Sequence, residues 1–271
     1  MNHSTTALNP RVSQIAVLGI DGSGKSTVSR HLGRMLSITG PVCRISDAIE
    51  VFRAGQVSEH PQPGVERLRH WFHNQAKRAG SMKRYKIPKL AELFLRDHLV
   101  GRMTRRYDPV RVVMDGSPLL NMLAWADLYH EPRLSRELGS RAIGVLTGRE
   151  IPPDSHDPIF EALPELVVAK RLGLTHLSLP DICLFLDLDP EEACRRIDTR
   201  GEATQIHETR ETLGRLREAY LRVCEIAAED WSVHVIPVDV NHDEMAVLTA
   251  IGDLEPALLD DTLQPPPHPA S

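Results

Sequence analysis

A glycine-rich segment near the N-terminus has the residue types and the spacing of a phosphate-binding loop. Residues 19–26 read Gly-Ile-Asp-Gly-Ser-Gly-Lys-Ser and match the G-x-x-x-x-G-K-[ST] pattern, with an apolar run before them and a helical pattern after them. Glycines let consecutive backbone N–H groups turn toward phosphate oxygens, and the start of the following helix adds its positive dipole end. The predicted nucleotide-binding residues are Gly19, Asp21, Gly22, Ser23, Gly24, Lys25, Ser26 and Thr27.

Two side chains of this loop have expected chemical roles. Lys25 supplies a mobile cation for the β- and γ-phosphates of a nucleoside triphosphate, and the Ser26 hydroxyl is placed to bind Mg²⁺. We predict ATP as the donor, because the chain has no Asn-Lys-x-Asp segment that would read guanine. The nearest sequence, at residues 241–243, does not fit. Kinases, GTPases and motor ATPases share such loops, so the loop alone does not define the reaction.

A second acidic position follows another apolar run. Residues 111–118 read Arg-Val-Val-Met-Asp-Gly-Ser-Pro, which places Asp115 at the carboxyl end of a predicted strand. A carboxylate there can hold Mg²⁺ through water or accept a proton from an attacking hydroxyl. The alternative is that Asp115 caps the helix that begins near Pro118, although Ser117 is better placed for that. We predict that Asp115 is a catalytic residue and a metal ligand.

Two arginines follow the fourth predicted strand. Arg196 and Arg200 are four residues apart in a helical pattern, so both lie on one face of the helix. Like charges so arranged disfavour each other unless an anion lies between them, and they suit the charge on a transferring phosphoryl group. We predict that both are catalytic. The alternative is a surface helix in which neighbouring glutamates and aspartates pair with the arginines.

Alternating strand and helix patterns position these residues. The predicted strands cover residues 14–18, 42–45, 111–114, 182–187 and 233–238, and the helices between them include one entered at Pro88. This alternation predicts an α/β fold with a mostly parallel sheet covered on both faces. The strand ends and any ligand then share one edge of the sheet. We predict one domain over residues 13–254, with a disordered N-terminus (1–12) and a disordered acidic, Pro-rich tail (255–271).

Composition and charge exclude several classes of protein. The chain has 271 residues and no long apolar run, so neither a membrane span nor a signal peptide is predicted. Four scattered cysteines indicate a reduced, cytoplasmic protein. Between residues 65 and 106, twelve Lys or Arg face three acids, although the net charge is −5. This basic stretch indicates either an anionic ligand or a set of solvated helix faces.

Several segments resemble the thymidylate kinase group of nucleotide kinases. Residues 17–36 (VLGIDGSGKSTVSRHLGRML) resemble its first strand, P-loop and first helix, and residues 179–202 (LPDICLFLDLDPEEACRRIDTRGE) resemble its fourth strand and the entry to its lid. The resemblance covers most of residues 15–251. It implies a three-layer P-loop kinase fold with a five-stranded parallel sheet and a helical lid at about 195–210. It also implies transfer of the ATP γ-phosphate to a nucleoside monophosphate or a related small anionic acceptor.

The resemblance also implies an acceptor site, from which this sequence departs. Asp21 would face the acceptor sugar, Asp115 would lie at the reacting centre, and the lid arginines would act from above. The group has Asp-Arg-Tyr or Asp-Arg-Phe where residues 115–117 read Asp-Gly-Ser, and Asp-Arg where residues 97–98 read Asp-His. The lid's Asp-Arg is Thr-Gln at 204–205, and residues 135–178 form an insertion. The predicted acceptor-binding residues are Asp21, Arg96, His98 and Ser117, with Arg96 substituting for a missing arginine.

Other functions stay open at this point. A deoxynucleoside kinase, or another kinase of small-molecule hydroxyl groups, would use the same donor loop. A regulatory nucleotide-binding protein with little catalysis would fit the replaced acceptor residues. The basic stretch at 65–106 would also suit a nucleic-acid substrate, which is a less favoured alternative to a small-molecule acceptor. The insertion at 135–178 could shape the acceptor pocket or form the interface of a homodimer.

Overall fold

A seven-stranded sheet forms the centre of the chain. The computed structural model describes residues 12–78, 82–129, 133–150, 157–171, 176–199 and 208–259. The strands follow the order β4-β3-β2-β5-β1-β6-β7. The five strands β2, β5, β1, β6 and β7 pair in parallel. At the other edge, β3 pairs antiparallel with β2, and β4 pairs antiparallel with β3. Their bounds are Ser13–Leu18 (β1), Val42–Ile45 (β2), Ile49–Arg53 (β3), Gln56–Glu59 (β4), Arg111–Asp115 (β5), Ile182–Asp187 (β6) and His234–Asp239 (β7).

Helices cover both faces of this sheet. Alternate residues of β1 enter different apolar clusters: Ile15 and Val17 join a large one, and Ala16 joins a smaller one that α3 closes. Burial on both faces is what near-continuous apolar strands predict. The helices are Lys25–Leu36 (α1), Glu66–Lys77 (α2), Met82–Tyr107 (α3), Pro118–Tyr129 (α4), Arg136–Thr147 (α5), Ile159–Ala162 (α6), Pro164–Arg171 (α7), Pro190–Thr199 (α8), Arg210–Trp231 (α9), Glu244–Asp253 (α10) and Glu255–Leu259 (α11).

The predicted fold class is confirmed, and the strand count is corrected. All five predicted strands are present, within one residue of their predicted bounds, and they form the parallel part of the sheet. The sequence reading missed the hairpin of β3 and β4. Its turn residues, Ala54 and Gly55, have φ angles of 48° and 78°, which suits a tight hairpin. Ala-Gly is not the Asn-Gly signature of such turns, and β4 is largely exposed and polar.

Two boundaries also differ from the sequence-based prediction. Pro88 lies inside α3 instead of opening it. The domain continues beyond residue 254, because α11 packs Leu258 into the core and Arg111 donates hydrogen bonds to the carbonyls of Leu258 and Leu259. The rest of the predicted tail, from 260, and residues 1–11 lie outside the described residues. Among the helices that are described, none is both long and apolar enough to cross a bilayer.

Within the predicted insertion, the described residues form α5, α6 and α7. Ser135 caps α5, because its hydroxyl accepts from the backbone N–H of Leu138 at 3.2 Å.

The four cysteines are free thiols, and three of them are buried.

Candidate active site

The glycine-rich loop connects the end of β1 to the start of α1 at the carboxyl edge of the sheet. Gly22 and Gly24 have φ angles of 84° and 86°, a region that other residues rarely enter. A Cβ at Gly22 would lie 3.0 Å from the carbonyl oxygen of Ala193 on α8. The loop backbone therefore packs closely on α8 while it turns into the N-terminus of α1.

Lys25 lies across this loop. Its Nζ donates to the carbonyl oxygens of Gly19 at 3.0 Å and Ile20 at 2.9 Å, and lies 3.4 Å from the carboxylate of Asp21. The ammonium is thus held at the loop, within reach of whatever the loop binds. Asp21 lies beside Lys25, and its contact with an acceptor sugar stays a prediction.

The two predicted metal ligands lie together. Val17 of β1 pairs in register with Asp115 of β5, which brings the end of β5 beside the loop. The Ser26 hydroxyl donates to Asp115 Oδ2 at 2.5 Å, across 89 residues of chain. A hydroxyl and a carboxylate oxygen suit Mg²⁺, which takes one or two protein oxygens together with phosphate and water oxygens. The donor set fits the ion that the sequence predicts.

A buried arginine that sequence reasoning missed supports this pair. Arg44 on β2 is only 2% exposed. It donates to the Ser29 hydroxyl at 2.9 Å and to the Ser26 carbonyl at 3.2 Å, and its Nη2 lies 3.9 Å from Asp115 Oδ2. Glu50 on β3 balances its charge at 2.5 Å. Burial alone would raise the pKa of Glu50, but the hydrogen bonds from Arg30 and Arg44 outweigh it and lower that pKa.

Arg96, predicted from the sequence to bind the acceptor, does reach the centre. Its Nη1 donates to the backbone carbonyl of Asp115 at 2.6 Å, and its Nη2 contacts Glu92 at 2.8 Å and Asp47 at 3.3 Å. Burial alone would lower the pKa of Arg96, but Glu92, Asp47 and Asp115 outweigh it and raise that pKa. The guanidinium therefore joins the end of β5 to the turn after β2.

Asp47, in that turn, is a second residue that sequence reasoning missed. Its side chain is 68% exposed, and the buried Arg69 of α2 lies 3.8 Å from its carboxylate. Although the side chain is largely exposed, desolvation of its carboxyl group by the surrounding protein atoms would raise the pKa of Asp47, but the charges of Arg96 and His73 outweigh this effect and lower that pKa. The available signal was its position just beyond the end of a predicted strand, as for Asp115.

A cluster of Asp47, His73 and Glu92 could suggest a second metal site. Glu92 is fully buried, and three cations already surround it: Lys89 at 2.7 Å, Arg96 at 2.8 Å and Arg69 at 3.4 Å. Burial alone would raise the pKa of Glu92, but Lys89 and Arg96 hold it well below its usual range. A metal ion there would meet three positive charges, so the cluster is a structural ion-pair network.

A cavity of about 590 Å³, which we call the donor cavity, opens beside the loop. Its lining runs from Gly22 and Gly24 to Arg196 and the turn after β7 at residues 240–244. Arg196 is anchored there, because it donates to the carbonyls of Val240 at 2.8 Å and His242 at 3.2 Å. It also pairs with Glu192 at 2.8 Å. Arg196 thus lies in the donor cavity wall, while Arg200 and residues 204–205 lie outside the described residues.

Two predicted acceptor residues do not join the centre. Ser117 is fully buried, and its hydroxyl accepts from the backbone N–H of Leu120 at 3.3 Å. It caps α4, which was the alternative role considered for this segment. His98 is exposed on α3. Because it lies two residues after Arg96, it points roughly 200° away around the helix axis. The structure therefore gives no support to an acceptor contact by either side chain.

Comparison with known proteins agrees with this arrangement. No protein-family model matches the chain. A thymidylate kinase of Xanthomonas euvesicatoria pv. vesicatoria (strain 85-10) is 26% identical over 265 residues, which cover 97% of this chain and 92% of that protein. A thymidylate kinase of Leptospira borgpetersenii serovar Hardjo-bovis (strain L550) is 35% identical over 63 residues, which cover 23% of this chain and 30% of that protein.

One similar solved structure is a deoxyadenosine kinase from M. mycoides with the products dCMP and a flexible dCDP bound. It has a TM-score of 0.51 and 16% identity, and the match covers 90% of this chain and 99% of that one. This likeness concerns the fold. Together with the curated relatives it confirms the resemblance predicted from the motifs: the chain is similar to a thymidylate kinase over 97% of its length and shares the fold of a deoxyadenosine kinase, which supports a P-loop phosphotransferase.

Proposed function

We propose that this chain is a Mg²⁺-assisted kinase that transfers the γ-phosphate of ATP to a small acceptor of the nucleotide or nucleoside type. The observation that carries the proposal is the contact between Ser26 and Asp115, 2.5 Å apart at the end of an intact P-loop. A hydroxyl and a carboxylate from distant parts of the chain meet where a metal would bridge the donor phosphates.

The loop binds the triphosphate end of the donor, and the donor cavity binds its nucleoside end. The backbone N–H groups of the loop and the start of α1 bind phosphate oxygens, and Lys25 moves from the loop carbonyls to the phosphates. The nucleoside end of ATP then occupies the donor cavity, whose wall includes Arg196 and the turn after β7. Bound Mg²⁺, held by Ser26 and Asp115, would offset the charge that develops on the transferring group.

The acceptor approaches from the side of β2 and α3. Its oxygen attacks the γ-phosphorus in line with the leaving ADP, and Arg44 and Arg96 fix the end of β5 at this point. Since phosphoryl transfer requires mostly positioning and charge stabilisation, small shifts of Asp115 would lower the rate strongly. A nucleoside monophosphate is the acceptor that the resemblance suggests, and a hydroxyl acceptor uses the same donor machinery.

Transfer of label from [γ-³²P]ATP to a panel of nucleosides, nucleotides and sugars tests the proposal. We expect a labelled product that requires Mg²⁺ and falls at least about 100-fold in Lys25→Ala and Asp115→Asn. Asp253→Asn, an exposed aspartate at the end of α10, is the matched control and keeps full activity. The absence of any product, combined with ATP binding that still depends on Lys25, would instead support a regulatory nucleotide-binding protein.

A further inference from the structure

A cavity of about 460 Å³, which we call the α1 cavity, begins at Ser26 and follows α1 away from the phosphate-binding loop. One wall is the outer face of α1, and the facing walls are the turn after β2 and the first turns of α10. The charge that a ligand meets there depends on which charged side chains can turn toward it. The charged residues of the lining are Arg30, Arg34, Arg44, Asp47 and Glu244.

Most of the arginines at this edge of the sheet are fixed in buried ion pairs. If one of them turned toward a ligand, its carboxylate partner would stay buried without a counter-charge, which is strongly unfavourable. Such arginines position their neighbours but do not follow a ligand. The buried pairs are Arg44 with Glu50 at 2.5 Å, Arg69 with Glu66 at 2.7 Å and Arg96 with Glu92 at 2.8 Å.

Arg30 differs from these arginines in its exposure and in what its departure would leave behind. Its side chain is 49% exposed, and it donates to the Glu50 carboxylate from Nη2 at 2.8 Å and from Nε at 3.3 Å. Glu50 also accepts from the buried Arg44 at 2.5 Å, so this carboxylate stays paired when Arg30 turns away. Contacts of exposed guanidinium groups contribute little to stability. Arg30 can therefore leave its partner at small cost.

The geometry of α1 places Arg30 within reach of the metal-binding pair. Arg30 follows Ser26 by four residues, so both lie on one face of the helix, about 6 Å apart along its axis. Long side chains on a helix lean toward its N-terminus, which here is the phosphate-binding end. Because Ser26 donates to Asp115 at 2.5 Å, a guanidinium that leaves Glu50 in this direction approaches the group that the pair would hold.

We infer, given the proposed function, that Arg30 is a catalytic residue whose guanidinium turns from Glu50 to the non-bridging oxygens of the transferring phosphoryl group. Those oxygens carry the negative charge of that group in the transition state, and phosphoryl transfer depends mostly on positioning and on stabilisation of this charge. Lys25 and Mg²⁺ are the cations that the proposed function already supplies, and Arg30 adds one from the α1 cavity. It forms no covalent bond and keeps its proton throughout.

Substitution of Arg30 tests the inference in the labelled-ATP assay, with the acceptor that the panel identifies. We expect Arg30→Ala to lower kcat by about 100-fold while the KM for ATP stays within about threefold, because the contact forms only with the transferring group. Arg30→Lys, which keeps the charge but not the planar fork, recovers part of the loss. Arg34→Ala is the matched control on the same helix face. It keeps the kcat of the wild type, because Arg34 lies about 12 Å from Ser26 along the axis.

Chemical rescue separates a catalytic contact from a structural role. We expect guanidinium chloride, far below denaturing concentrations, to enter the space left in Arg30→Ala and restore part of its kcat, with no effect on Lys25→Ala. Thermal denaturation verifies that each variant is folded.

Four outcomes would contradict the inference. A folded Arg30→Ala protein with the kcat of the wild type would overturn it and leave the proposed kinase standing. A loss that guanidinium does not rescue would assign Arg30 a structural role. An equal loss in Arg34→Ala would attribute the effect to the general positive charge of α1. No transfer by the wild-type protein to any acceptor would overturn both the inference and the proposed function.

Discussion

Gly116 offers the sharpest test of the site's geometry, because its replacement by alanine adds one methyl group at a known place. Gly116 has a φ angle of 85°, and a non-glycine residue in this left-handed region costs about 1–2 kcal/mol. The new Cβ also lies 2.6 Å from Nδ2 of Asn121. Asn121 cannot withdraw freely, because its Oδ1 accepts from the Tyr220 hydroxyl at 3.1 Å. Overpacking of this kind adds about 1–3 kcal/mol.

Together these effects predict that Gly116→Ala loses about 2–5 kcal/mol of stability, or roughly 4–10 °C in Tm for a chain of this size. Thermal and urea denaturation followed by circular dichroism measure the loss. Gly252→Ala is the opposite control: it lies in α10 with no atom near its added Cβ, so it gains about 0.5–1 kcal/mol. The double variant Gly116→Ala/Asn121→Ala removes the clash, so it recovers the stability lost to overpacking but not the stability lost to backbone strain. An unchanged or raised Tm in Gly116→Ala would refute this account of the turn after β5.

Three further outcomes follow from the ion pairs of the site. In Arg44→Lys, the lysine cannot contact Ser29, Glu50 and the Ser26 carbonyl at once, so we expect the Mg²⁺ concentration for half-maximal activity to rise about tenfold. Arg53→Lys, an exposed control on β3, leaves that concentration unchanged. Glu92→Gln removes the counter-charge of three buried or half-buried cations and costs about 3–5 kcal/mol in urea denaturation, whereas a loss below 1 kcal/mol would contradict the network. The depressed pKa of Glu92 stabilises the fold above the unfolded value of about 4.5, so wild-type stability falls as the pH drops below that value, and this component of the fall is absent in Glu92→Gln.

The donor half of the site could be predicted from sequence because its signals are local. The loop at 19–26 carries its own glycines, cation and hydroxyl in one continuous segment. The strands that place it are short apolar runs, whose burial on both faces needs no knowledge of their neighbours. Asp115 was found for the same reason, since a polar residue directly after such a run lies at the edge of the sheet where ligands bind.

The acceptor half could not be predicted in the same way, since its residues depend on partners far along the chain. Arg44 is a strand residue like any other until Glu50 and Ser29 are known to face it. Its presence in the apolar run at 42–45 was a signal, because a buried arginine requires a partner. Glu50 faces Arg44 because β3, a strand that the sequence reading missed, pairs antiparallel with β2.

The basic stretch at 65–106 shows how a count of charges along the chain can mislead. Its excess of arginine and lysine suggested an anionic ligand, yet Arg69 and Arg96 are buried against Glu66 and Glu92, two of the three acids in the same stretch. A few acids are enough to neutralise the arginines that point inward, while the remaining basic residues that are described lie mostly on exposed faces. A count of charges along the chain therefore does not predict the charge at the edge of the sheet, which depends on which of these side chains are paired.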